Sequence, residues 1–416
     1  MKSMSETVSP AREAALYVLG RCRRFDAWSP QTMQAAFERY QLSERDTALC
    51  TRLCRAVLQN AAFCDYYIGL YCSQGVKRLQ PQVLDVLRLG ACQLLFMDRI
   101  PVSAAVNEAV SLCRRTSPKA AGLVNAVLRR LAENRTSLPA IPGEGGAEWL
   151  SVRYSHPLWL CEKLLEEHGY DFAKAFLAAN NEEAPLHVTM NPLRGAERLE
   201  NRELSGSGAI QSRDGFAEGR FFVQDAAAYT SAVKAGARPG MRVLDGCAAP
   251  GGKSFVSAIL MENRGEIISC DLHEKKLALI DEGAERLGID IITTLPMDGS
   301  KPYERLKESF DLVIADVPCS GLGVIRRKCE IRYKEKAELQ RLPEIQLGIL
   351  RGLSRCVKPG GILHYSTCTI LPEENSGVVE NFLQENPNYE REEEKTFWPH
   401  LDGTDGFYFC RMRRHA

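Results

Sequence analysis

No stretch of the 416 residues reaches the ~18 uninterrupted apolar positions that a membrane helix needs; the longest, around Leu89 to Met97, falls well short. The N-terminus carries no secretory pattern, and the 15 cysteines, an odd number in a long chain, include no Cys-x-x-Cys pair. A disulfide scaffold is therefore not expected, and the reading is a soluble, cytoplasmic chain with reduced thiols. Net charge is missing too, since 53 Lys and Arg balance 53 Asp and Glu. That neutrality hides a dipole along the chain. Residues 1 to 140 hold 19 basic against 11 acidic side chains, net +8, and the remainder holds 34 against 42, net −8. A basic segment of this size suits a polyanion, because each neutralised phosphate releases condensed counterion; it equally suits solvated helix faces. What is present is ordinary globular composition, 45% apolar and 25% charged. It supplies buried cores, and at roughly 150 residues per domain the length implies about three of them.

From Ala11 to Leu131 apolar residues recur at helical spacing, with Leu84, Leu87, Ala91 and Leu95 on one stripe and Leu123, Val124, Val127, Leu128 and Leu131 on another. Ser-Pro at 29, Gln-Pro at 80, Ile-Pro at 100 and Ser-Pro at 117 punctuate this region, which reads as all-helical. Ser137 to Gly146, SLPAIPGEGG, has no period and reads as a linker. Tyr154 to Asn180 looks helical again, and Leu186 to Asn191 and Gly208 to Gln224 look like short strands among Gly-rich turns. From Pro239 onward strands and helices alternate. Candidate strands are Arg242 to Asp245, Glu266 to Asp271, Ile289 to Leu295, Asp311 to Asp316 and Ile362 to Tyr365, and candidate helices begin near Lys253, His273, Lys334 and Glu373. The pattern predicts three parts: an all-helical domain over 1–140, a linker and small mixed α+β module over 141–235, and a doubly wound, mostly parallel α/β sheet over 236–416. Ligands in such sheets sit beyond the carboxyl ends of the strands.

The first such strand end is Val243-Leu-Asp-Gly-Cys-Ala-Ala-Pro-Gly-Gly-Lys253, a strand entering a Gly-rich turn and then a helix. Glycines let backbone approach a ligand closely, and the helix start offers free N–H groups. Asp271 ends the next strand, twenty residues past Gly251, where a carboxylate can hold both hydroxyls of a ribose. The loop is not GxGxxG. It would match a phosphate loop only if Cys247 were glycine, so an ATPase is the rival reading. A second strand end carries Asp316-Val-Pro-Cys-Ser-Gly-Leu-Gly323, and a third carries His364-Tyr-Ser-Thr-Cys-Thr-Ile370, so two thiols, Cys319 and Cys368, can face one cofactor. No His lies at ligand spacing to either, and no metal is expected.

A thiol, a carboxylate and a nucleoside cofactor suit one chemistry in particular. Carbon 5 of cytosine is too weak a nucleophile to accept a methyl group unaided. Thiolate attack at carbon 6 makes the ring an enamine that can take the methyl from a sulfonium donor. A carboxylate at ring nitrogen 3 stabilises charge in the adduct, and a base must then remove the carbon 5 proton. The alternative from another class is a non-catalytic RNA-binding or antitermination factor with a dead core.

DGCAAPGGKS, DVPCSGLG and STCTI resemble the cofactor motif and two cysteine motifs of the S-adenosylmethionine-dependent RNA cytosine-5 methyltransferases. LRLGACQLLFMDRIPVSAAVNEAV and GLVNAVLRRL resemble the helical RNA-binding domain shared with the antitermination factor NusB; YSHPLWL and FFVQDAAA extend the likeness through the middle. The resemblance implies a NusB-like N-terminal domain and a Rossmann-like class I methyltransferase domain. It implies 16S ribosomal RNA as substrate, with transfer RNA or 23S RNA as alternatives, and a monomer that needs no membrane. It casts Cys368 as the nucleophile, Cys319 as an aid to product release and Asp316 as a contact to the cytosine ring, near the donor's methyl end. Cys247, Ala248, Ala249, Pro250, Gly251, Gly252 and Lys253 would cradle the amino-acid part of the cofactor, Asp271 its ribose and Asp298 its adenine. The chain departs from the family pattern at Thr189, ahead of Met190 and Asn191, where members often carry Arg.

Overall fold

The computed structural model describes residues 8–25, 30–205 and 210–416. They fall into two compact units, Met1–Asn181 and Glu182–Ala416. The first holds nine helices among its described residues: α1 (Pro10–Phe25), α2 (Pro30–Arg39), α3 (Glu44–Tyr71), α4 (Pro81–Phe96), α5 (Val102–Thr116), α6 (Ala121–Asn134), α7 (Ala147–Tyr154), α8 (Leu158–His168) and α9 (Tyr170–Ala179). Proline starts helices here rather than interrupting them: Pro81 is the first residue of α4 and Pro101 precedes α5, positions whose N–H would have no helical partner. The stripe foreseen on α4 is one part of a wider surface, for Val83, Val86, Leu87, Leu89, Ala91 and Cys92 are all buried. A helix apolar on most sides belongs at the centre of a bundle. Gly90 is where α4 meets α6, since a Cβ there would lie 2.5 Å from a Leu128 methyl.

Two units stand where three parts were expected, and the reason lies in residues 141–235. The Pro/Gly-rich segment is irregular, yet Tyr67 of α3 donates to the Pro139 carbonyl at 2.9 Å, and Phe63 N–H donates to Ser155 Oγ at 3.0 Å. Residues 147–179 therefore dock on the helical unit. The strands β1 (His187–Met190), β2 (Asn201–Glu203) and β3 (Phe221–Val223) instead form a small antiparallel sheet, in the order β2-β1-β3, that joins the second unit. The buried Asn191 donates to the carbonyls of Gly219 and Leu287, at 2.9 and 2.8 Å. Within the stretch of short strand and Gly-rich turns read from Gly208 to Gln224, the strand is Phe221–Val223, and residues 208 and 209 lie outside the described residues.

The second unit continues α10 (Ala226–Ala235), β4 (Arg242–Asp245), α11 (Gly252–Leu260), β5 (Glu266–Asp271), α12 (Glu274–Leu287), β6 (Ile292–Pro296), β7 (Phe310–Asp316), α13 (Lys336–Leu339), α14 (Leu342–Ser354), β8 (Val357–Thr367), α15 (Ser376–Glu385), β9 (Tyr389–Phe397), α16 (Pro399–Asp402) and β10 (Phe407–Arg414). The seven-stranded sheet runs β6-β5-β4-β7-β8-β10-β9, parallel from β6 to β8, with β10 antiparallel to both its neighbours. Along β7, Leu312 and Ile314 enter the core on one face while Val313 and Ala315 enter the core on the other, as expected of a strand covered by helices on both sides. The strand read at 289–295 begins at Ile292, because Ile289 caps the preceding helix by donating to Ala284 O at 2.9 Å. β9 and β10 escaped the reading. β9, YEREEEKTF, is a charged edge strand with almost no alternation to detect.

Candidate active site

Strand order sets the site's layout. Strand order reverses at β4, with β5 and β6 laid down on one side of it and β7 and β8 on the other, and such a switch point opens a crevice at the carboxyl edge. Along that edge stand, in order, Asp298 just past β6, Asp271 ending β5, the loop after β4, Asp316 ending β7 and Cys368 just past β8. The residues singled out from the sequence thus come to one edge of one sheet.

The loop after β4 is held from below. Gly246 N–H donates to Ile314 O at 2.9 Å, and Ala248 N–H donates to Cys270 O at 2.7 Å. Asp245 is fully buried, and one carboxylate oxygen accepts from Ser254 Oγ at 2.8 Å. Its other oxygen has no protein partner, and burial pushes this carboxyl up to about 7. Gly251 has φ +112°, and a Cβ there would sit 2.4 Å from the Phe255 ring. No side chain caps α11, so its first N–H groups face the crevice edge without an internal acceptor. An orphaned buried carboxylate oxygen, an uncapped helix start and acids at the neighbouring strand ends suit a ligand with an amino-acid end and a ribose. Burial pushes the Cys247 thiol up, which makes it an inert part of the wall.

Asp271 is buried and spends one oxygen on His273 N–H at 2.9 Å. Asp298 accepts from Ser300 N–H at 2.9 Å and Ser300 Oγ at 2.7 Å, bonds that hold its carboxyl below the usual range. Asp316 accepts from Ser366 Oγ at 2.8 Å through one oxygen and meets Lys253 Nζ at 2.6 Å through the other. Lys253 also lies over the Phe407 ring, 4.9 Å from its centre.

The thiols of Cys319 and Cys368 are 3.3 Å apart. A hydrogen bond from Cys319 lowers the Cys368 thiol, and Lys253 and Lys328 lower it further against burial and Asp316. The same bond, with burial, pushes Cys319 well up. Of the two, Cys368 is the thiol whose ionisation the surroundings favour and Cys319 the one whose ionisation they oppose. Sequence reading gave no role to the groups that hold this site: Ser366 on Asp316, Phe407 under Lys253, and Gln346 and Glu374 beneath the cysteine loops. Ser366 lies within the segment His364 to Ile370 and Glu374 next to the helix start read near Glu373, but nothing in their spacing marks them, and Phe407 comes from an unforeseen strand. Thr189 is buried and donates to Gln224 Oε1 at 2.9 Å, while Gln224 Nε2 donates to Gly252 O at 3.2 Å. The position where family members often carry Arg braces the loop after β4 instead.

Residues 235–413 match the family described as 16S rRNA methyltransferase RsmB/F, and residues 9–133 match the NusB family. The probable ribosomal RNA small subunit methyltransferase B of Bacillus subtilis (strain 168) is 34% identical, across 97% of this chain and 98% of the relative. The chain belongs to the RsmB/F family of 16S rRNA methyltransferases. The ribosomal RNA small subunit methyltransferase B of Salmonella paratyphi B (strain ATCC BAA-1250 / SPB7) is 30% identical, over 89% of this chain and 91% of that one. Among solved structures, that of PH0851 superposes with TM-score 0.79 at 24% identity, covering 98% of this chain and 99% of that one. NSun6 from Pyrococcus horikoshii superposes with TM-score 0.55 at 18% identity, covering 62% and 98%. At these identities the structures speak for the fold alone, and they place this RsmB/F chain in the same architecture.

Proposed function

We propose that this chain methylates carbon 5 of a cytosine in 16S ribosomal RNA through a covalent adduct on Cys368. The observation that carries the reading is the pair of thiols 3.3 Å apart at the strand edge that also bears Asp316 and the cofactor loop. S-adenosylmethionine, when bound, supplies an electrophilic methyl group for carbon 5. Residues Cys247 to Lys253 hold its amino-acid end, Asp271 its ribose and Asp298 its adenine. Cys368 adds to carbon 6 as a thiolate. Asp316, held between Ser366 and Lys253, is the group that would hydrogen-bond the cytosine ring as the adduct forms. With Cys319 assisting, the carbon 5 proton leaves to solvent, its electron pair restores the carbon 5–carbon 6 double bond, and the Cys368–carbon 6 bond breaks to return a thiolate and release the product. Residues 1–140 serve as the RNA-binding part, in keeping with their net +8 charge, and residues 236–416 carry the transfer.

Cys368→Ala should lose turnover while still binding S-adenosylmethionine in a calorimeter. Cys319→Ala should accumulate a protein–RNA adduct that survives denaturing electrophoresis. Sustained methylation by the Cys368 variant, or ordinary product release by the Cys319 variant, refutes the assignment.

A further inference from the structure

Each of the two thiols is followed by a hydroxyl residue, Ser320 after Cys319 and Thr369 after Cys368, and these hydroxyls are 2.6 Å apart. Beneath them lies Glu374, 1% exposed. One of its carboxylate oxygens accepts from Ser320 N–H at 2.8 Å and from Gln346 Nε2 at 2.8 Å; the other accepts from Thr369 Oγ1 at 3.3 Å. Gln346 also donates to Pro318 O at 3.0 Å, on the far side of Cys319. The neighbouring Asn375 grips the second loop: it accepts from Thr367 Oγ1 at 2.6 Å and donates to Thr369 O at 3.1 Å. The carboxylate thus binds the residue after each thiol, from an element, the turn into α15, that carries neither.

A buried carboxylate is costly to keep unless its lone pairs are met, and these are met by the two cysteine loops and the glutamine that ties down one of them. The loops come from different strand ends, β7 and β8, and each would otherwise have its own freedom. A thiol pair works as donor and acceptor only while the sulfurs stay within hydrogen-bond reach, and an error near 1 Å at a reacting group can cost ~100-fold in rate.

We infer that Glu374 is a positioning residue that clamps the two cysteine loops together and so sets the Cys319–Cys368 spacing for adduct formation and release. The inference rests on the covalent-adduct reading of the two thiols. Its test compares full-length wild-type, Glu374→Gln, Glu374→Ala and Thr369→Val proteins in methyl transfer from labelled S-adenosylmethionine to unmodified 16S ribosomal RNA. Gln keeps the shape and the acceptor that Ser320 and Gln346 need, so E374Q should stay within about tenfold of wild-type kcat. E374A should lose about 100-fold in kcat, the cost of a misplaced reacting group, with KM for both substrates within twofold. T369V keeps the volume of Thr369 but removes the hydroxyl that joins Ser320 to Glu374, and should fall between the two. If E374A does not fold, T369V at wild-type kcat overturns the inference. So do wild-type kcat in a folded E374A, an E374Q as poor as E374A, or losses that fall on KM rather than kcat. An inactive wild-type protein, or a Cys319→Ala protein without adduct, strikes the underlying reading instead.

Discussion

A proton on Cys319 and a charge on Cys368 form the arrangement that their neighbours favour, and each neighbour can be removed singly. Lys253 lies 2.6 Å from Asp316 and lowers the Cys368 thiol. Lys253→Met keeps the stem's packing and removes the charge, so two effects should follow. Iodoacetamide should label Cys368 more slowly at neutral pH, as read by mass spectrometry. Methyl transfer should fall by about 100-fold, the usual loss when one preorganised charged group leaves a buried site. Unchanged labelling would separate Lys253 from the thiol. Asp245 offers a second test, through pH. Burial raises its carboxyl to about 7 in the folded chain, above the unfolded value of about 3.9, so the native state binds this proton more tightly. The stability it contributes is present below pH ~4 and is lost as pH rises to ~7. The thermal midpoint of Asp245→Asn relative to wild type should therefore climb with pH across that window and level off above it. A difference that stays flat in calorimetry removes the burial argument.

Between elements, the site depends on a crossing that only glycine permits. Gly323, in the loop after β7, donates to Cys368 O at 3.0 Å and accepts from Gly406 N–H at 2.8 Å. A Cβ on Gly323 would lie 1.9 Å from Gly406 O, a backbone atom that cannot rotate away. Gly323→Ala must push the Cys368 loop from the turn before β10. It should lower kcat by ten- to about 100-fold and leave S-adenosylmethionine binding within twofold, measured by single-turnover assay and calorimetry. The same region is braced by Asp405, which pairs with Arg326 at 2.7 Å and with Arg327; Arg327 reaches on to Asp225 at 3.0 Å, the residue that caps α10. Arg326 and Asp405 are almost wholly buried, so removing one partner strands charge away from water. Asp405→Ala should cost about 3–5 kcal/mol in denaturant unfolding, against about 1 kcal/mol or less for an exposed pair such as Arg198–Glu200. Equal losses at the two would show that burial does not matter here.

At the scale of the whole molecule, the asymmetry of charge makes a prediction of its own. If the excess of basic residues over 1–140 meets phosphate, affinity for RNA should fall steeply with salt while affinity for S-adenosylmethionine hardly moves. Arg129 and Arg130 are exposed on α6, and their joint change to Glu should weaken RNA binding and flatten the salt slope by about 1 for each phosphate left without its arginine. A filter-binding series across salt concentrations reads both. A slope equal to that of wild type would leave these two arginines as solvated surface.

The helical and α/β character of the two halves, the strand that ends at Asp245 and the strand that ends at Asp271 were all written in local pattern, because periodicity and Gly-rich turns act over a few residues. So were Asp316, Cys319, Cys368 and the loop after β4, which sit at strand ends that the alternation itself marks, whereas Asp298 was singled out only through the family resemblance. Tertiary structure decided what local pattern does not carry. It assigned residues 147–179 to the helical unit, with the hydrogen bond from Phe63 to Ser155, residues distant in sequence, among the contacts that hold them there. It formed β9 and β10, whose pairing rather than composition makes them strands. It also set two sulfurs 49 positions apart at 3.3 Å, over a carboxylate on a third segment. Spacing between loops is fixed by close packing and by the demand that buried polar groups be paired, and both depend on partners that the chain brings together only when folded.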